Sequence, residues 1–124
     1  MAIAHNDLGG GLRHVILSGR LDFHGVEAII EQFSALLASA RADVLVDLAN
    51  TTLICSMGIR ALILNAKYMQ QRGGRMALLI GDGTMVSTTL KSVGIETLLP
   101  VYASLAEAQA SMAPGTASPG SAAK

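Results

Sequence analysis

The chain has no tryptophan, two tyrosines, two phenylalanines, one cysteine and no excess charge of either sign. Each scarcity excludes something. With 3% aromatic beside 51% hydrophobic residues, the core has to be aliphatic, built from Leu, Ile, Val, Ala and Met. No aromatics are interleaved with basic residues, so there is no platform for stacked nucleotide bases. Lys plus Arg and Asp plus Glu both number 9, giving a formal net charge of zero. Long-range steering toward a polyanion is thereby excluded, and no nucleic-acid partner is expected. The same neutrality leaves little self-repulsion, which is compatible with a homodimer.

The lone Cys55 excludes an intrachain disulfide and a cysteine-rich zinc site, and it fits a reducing cytosol. His5, His14 and His24 are scattered without ligand spacing, so no metal and no cofactor are expected. No apolar run approaches the ~20 residues of a transmembrane helix. The opening MAIAHNDLGGG lacks a basic stretch followed by a long apolar run, so it is no secretory signal. The expectation is a cytoplasmic protein without direct membrane insertion.

What the sequence does have is alternation. A length of 124 residues suits one domain. Residues 12–19 read as a strand after the Gly9–Gly11 turn, and residues 2–5 read as a hairpin partner for it. Residues 25–40 carry Val26, Ile29, Ile30, Phe33, Leu36 and Leu37 at helical spacing. DVLVDL at 43–48 is a strand covered on both faces, and residues 57–72 form a second amphipathic helix stopped by Gly73 and Gly74. A further buried strand spans 75–80, and Thr84 caps a helix over 85–92. Residues 98–101 form a last short strand. Ser104, with Glu107, opens a final helix to about Ser111. Strands separated by helices run parallel through right-handed crossovers. The expected fold is an α/β mixed sheet with parallel central strands and about four helices mainly on one face. It occupies residues 1–113. The Pro/Gly/Ser/Ala-rich segment 114–124 has nothing large to bury and is expected to be disordered.

In such a sheet the functional loops gather at the carboxyl ends of the parallel strands. The loop after 43–48 leads into the second helix at Ser56. As a cap, its hydroxyl would accept a backbone N–H bond; as a modification site, it would hold a phosphate where free N–H groups and the helix dipole favour a dianion. Cys55 also has two readings, a small buried hydrophobe or a thiol activated by the helix start. Met57 and Ile59 are either core or an apolar docking patch. Asp22 is a helix-start residue and Asp47 a strand-end residue; as an imagined acid/base pair they have no third group to complete a catalytic set. Gly81-Asp82-Gly83-Thr84 is too short for a phosphate-binding P-loop and lacks the following lysine. Nothing here points to an enzyme.

Three stretches resemble the STAS domains of anti-sigma factor antagonists. They are GRLDFHGVEAI at 19–29, VLVDLANTTLICSMGIRALI at 44–63, and Gly73-Gly74 with its following strand and LKSVGIETLLPVYASLAEA at 90–108. The resemblance covers about residues 12–110. It implies a bacterial regulator that switches between protein partners to control transcription. The partner it implies is an anti-sigma factor with a serine-kinase fold. The family's Asp-Ser-x-Gly stands here as Cys55-Ser56-Met57-Gly58, so the resemblance implies Ser56 as phosphoacceptor. It also implies a partner surface containing Asp22, Cys55, Ser56, Met57 and Gly58. The replacement of the family's aspartate by Cys55 leaves a second reading: a STAS scaffold or transport-associated subunit, such as a partner of a lipid-transporter ATPase, without a phosphorylation cycle.

Overall fold

The computed structural model describes residues 1–40 and 42–112. The segment 114–124, expected to be disordered, lies outside the described residues. Five strands form one sheet in the order β1 (Ala2–Asp7), β2 (Leu12–Leu21), β3 (Asp43–Ile54), β4 (Arg75–Leu79) and β5 (Val101–Tyr102). The first pair is antiparallel and the other three are parallel. The interleaved helices are α1 (Phe23–Ala38), α2 (Ser56–Gln71), α3 (Met85–Ser92) and α4 (Leu105–Met112). A 3-10 turn over Ile95–Thr97 precedes β5.

The hairpin forms because Gly9, Gly10 and Gly11 all adopt positive φ, which only glycine takes without strain. One face of the sheet presents Val15, Leu17, Val44, Val46, Leu78 and Ile80 to α1, α2 and α3. Phe33, Leu37, Leu62, Met69 and Leu90 fill the layer from the helix side, each almost wholly buried. The opposite face presents Leu12, Leu45, Ala77 and Leu79, which Ala108 and Met112 of α4 cover. Three helices thus share one face and the fourth lies on the other, as a period of two in a doubly covered strand requires.

The largest departure from the sequence reading is β3. The segment 49–54, read as loop, continues the strand because Asn50, Thr51, Leu53 and Ile54 pair with Ser18, Gly19, Arg20 and Leu21. Two register shifts, between Ile16 and Ser18 and between Gly19 and Arg20, break the regular apolar pattern that would have revealed it. β5 also lies later than expected. Ile95–Thr97 tightens into the 3-10 turn, and the strand begins only at Val101. The N-caps of α1 and α3 follow their side chains. Asp22 Oδ1 accepts the Gly25 amide at 2.8 Å, and Thr84 Oγ1 accepts that of Ser87 at 3.0 Å.

Candidate functional site

The long β2 and β3 carry two helix starts to one rim. Leu21 pairs with Ile54, and the Cys55 amide donates to the Leu21 carbonyl at 3.0 Å. The residues that follow these two, Asp22 and Ser56, therefore open α1 and α2 side by side at the carboxyl ends of parallel strands. Two glycines permit the approach. A Cβ on Gly25 would collide with the Arg20 carbonyl oxygen. A Cβ on the buried Gly58 would sit 3.1 Å from carbons of Ile54 and Leu21, so this glycine seats the first turn of α2 on the strand ends.

The start of α2 is bare. Its cap position falls on Cys55, in extended conformation, and among the described residues no side chain accepts a first-turn amide. The first turn contains no acid. Ser56 is the first helical residue and is exposed. The reading of its hydroxyl as the helix cap is therefore corrected: the chain enters the helix one residue earlier, and a thiol, a weak acceptor, stands where an oxygen would bond. The first-turn amides stay available to an anion.

Around the serine the candidate residues separate. Cys55 is half-buried and packs against the main core. Met57 is 41% exposed, whereas Ile59 packs against the core. Of these two apolar residues only Met57 reaches the surface. It lies on the wall of a groove of about 450 Å³ between α1 and α2, together with Phe23, Glu27, Ile30, Arg60 and Leu64. Sequence reading did not single out this groove. Its signal was the recurrence of Met57, Ala61, Leu64 and Tyr68 at spacings of four and three along α2. Asp22 is held below the ordinary carboxyl value of 3.8, first by the Gly25 amide and then by the Arg20 guanidinium.

Asp47 stands apart from this rim. It lies inside β3 rather than at a strand end, where its Oδ2 meets His14 Nε2 at 2.8 Å and its Oδ1 accepts the Ala49 amide at 2.9 Å. It does not meet Asp22. His5 lies in β1, and His24 packs edge-on against Phe23 in α1. Among the described residues no three His, Cys, Asp or Glu side chains group as a metal site. No helix among them is long and apolar enough to cross a membrane.

Comparison with known proteins places this geometry. No functionally curated protein matches the sequence. Among solved structures, an anti-sigma factor antagonist from Mycobacterium paratuberculosis superposes with a TM-score of 0.79 at 18% identity, covering 89% of this chain and 92% of that one. An anti-sigma-factor antagonist (STAS) domain protein from Planctomyces limnophilus gives a TM-score of 0.71 at 23% identity, over 90% and 97% of the two chains. The Bacillus cell fate determinant SpoIIAA, in its phosphorylated form, gives 0.64 at 19% identity, over 86% and 96%. At these identities the likeness is one of fold. The STAS-domain family model matches residues 10–108, and the chain belongs to the STAS-domain family.

Proposed function

We propose that the chain is an anti-sigma factor antagonist-like regulator that docks a partner protein on the rim formed by Asp22, Cys55, Ser56, Met57 and Gly58. One observation carries the reading: Ser56 is exposed at a helix start with open amides, no side-chain cap and no acid in the first turn. A phosphate on its hydroxyl meets the positive end of the helix dipole, so the folded domain accepts the modification. The added charge then falls beside Asp22 and the apolar Met57, where it repels an acidic or apolar partner surface. The partner in this reading is an anti-sigma factor with a serine-kinase fold, and the domain acts in the cytoplasm on transcription without catalysis of its own.

A second reading is favoured by Cys55. The family's aspartate at that position is absent, so a kinase that uses it finds an altered acceptor. In that case the rim is a constitutive contact, as in a scaffold or a subunit bound to a transporter ATPase. Wild type, Ser56→Ala and Ser56→Asp used as baits in the native cell extract, with captured proteins identified by mass spectrometry, separate the two. A kinase-fold ATPase held by wild type and Ser56→Ala but released by Ser56→Asp supports the switch. A transporter ATPase held equally by all three supports the scaffold and overturns the switch.

A further inference from the structure

We propose that the α1–α2 groove is a self-association surface, on which two copies of the chain pack face to face around a two-fold axis running along the helices. The groove is open and apolar: Phe23 is 50% exposed, Met57 41% and Leu64 57%. The outward stripe of α2, with its spacings of four and three, is the kind of seam one helix offers another.

The charges on its walls select the second copy as occupant. Glu27 stands on the α1 wall and Arg60 on the α2 wall, both exposed. Neither has an ion-pair partner among the described residues. The two helices follow successive parallel strands on one face of the sheet, so they run in the same direction. Ser34 Oγ donates to Asn65 Oδ1 at 3.5 Å, which sets their relative level. Glu27 lies about two turns before that contact and Arg60 about one and a half, so the charges stand within about 3 Å of the same height.

A two-fold axis parallel to the helices exchanges α1 with α2 and preserves height. It sets Glu27 of one copy against Arg60 of the other, twice, and lays Phe23 and Ile30 of one over Met57 and Leu64 of the other. An axis running across the helices would instead oppose Glu27 with Glu27 and Arg60 with Arg60. The zero formal net charge adds no long-range repulsion between copies. The dimer covers Met57, so self-association competes with partner docking at the rim, but its test requires no partner protein and stands apart from that reading.

The test is molar mass in solution by light scattering or sedimentation, over a concentration series up to about 1 mM. Wild type should rise from 12.8 kDa toward twice that mass. Glu27→Arg and Arg60→Glu should each remain monomeric, because each sets like charges together twice. An equimolar mixture of these two variants should regain the dimer, since every Arg-bearing wall then faces a Glu-bearing one. Leu64→Glu should remain monomeric. All three substitutions are at exposed positions, and circular dichroism checks that each variant keeps the wild-type fold. A wild type that stays monomeric throughout, a dimer indifferent to these substitutions, or a mixture that fails to reassociate overturns the proposal.

Discussion

At the cap position of α2 a half-buried thiol stands where an oxygen would accept a first-turn amide. Installing that oxygen with Cys55→Asp should stabilise the domain by about 1 kcal/mol, because the carboxylate both caps the helix and faces the positive end of its dipole. Ser56→Ala, one residue inside the helix, should change stability by less than about 0.5 kcal/mol, as exposed substitutions away from special features do. Thermal melts of the two variants decide this; a clear loss in Ser56→Ala would return the cap to the serine. Asp22 is the contrasting case, a cap already made. Its carboxyl and that of Asp7 both titrate below 3.8 in the folded chain, Asp22 chiefly through the Gly25 amide and Asp7 chiefly through its bond from Arg13. Depressed carboxyls bind protons more readily when unfolded, so their stabilisation is complete above the unfolded value and is lost as pH falls through the folded ones. The melting temperature should therefore hold between about pH 7 and pH 5 and drop below about pH 4. Asp22→Asn keeps an oxygen acceptor and should show a shallower acid decline than wild type. An unchanged pH profile in that variant would remove Asp22 from the account.

The elements show where such local chemistry sums into packing. α1 ends without a basic residue in its own last turn, yet two distant arginines complete it. Arg72 Nη1 donates to the carbonyls of Leu37 and Ala38, both at 2.7 Å, and Arg13 Nη1 to that of Leu36 at 2.9 Å. Both cations sit at the negative end of the α1 dipole. Arg72 also ends α2, so one side chain joins the C-termini of both helices. Arg72→Met, which keeps most of the stem, should cost about 1–2 kcal/mol and raise hydrogen exchange in the last turn of α1. A loss of stability without that local change would mean the arginine acts elsewhere. Residue spacing alone could not reveal this clamp, because its partners are more than thirty residues apart in the chain. Where apolar spacing is regular, as along 26–37, the sequence located the helix; Asp22, read as a helix-start residue, caps it, and the helix begins at Phe23, two residues before the expected start at 25. Where two register shifts interrupt the period, the second half of β3 read as loop. The site shared this fate in part. Ser56 and Asp22 were legible as helix starts. That strand pairing brings them together, and that Phe23 and Leu64 flank Met57 in one groove, depends on contacts between distant segments.

The whole molecule is asymmetric about its sheet. One face carries three helices and most of the core, and the rim with Asp22 and Ser56 is anchored there by Leu21, Ile54 and Gly58. The other face carries α4, held by Ala108 and Met112 against Leu12, Leu45, Ala77 and Leu79. β3 is the common wall: Val44, Leu45 and Val46 are fully buried, and the strand pairs on both sides. A strand placed there loses its hydrogen bonds only when the domain unfolds as a whole, whereas a short helix with two buried anchors can detach while the rest persists. α4 should therefore exchange its amides through local opening, and β3 only through global unfolding. Exchange measured by mass spectrometry in rising, sub-denaturing urea separates the two modes. α4 exchange should stay nearly independent of urea, and β3 exchange should accelerate with the slope of global unfolding. Leu78→Ala, a truncation in the larger core expected to cost about 2–5 kcal/mol, should accelerate β3 and leave α4 nearly unchanged. If α4 instead follows β3 in both experiments, the two faces unfold as one unit. In the opposite case the rim around Ser56 belongs to the part of the molecule that opens last, and a charge placed there acts on a surface already held rigid.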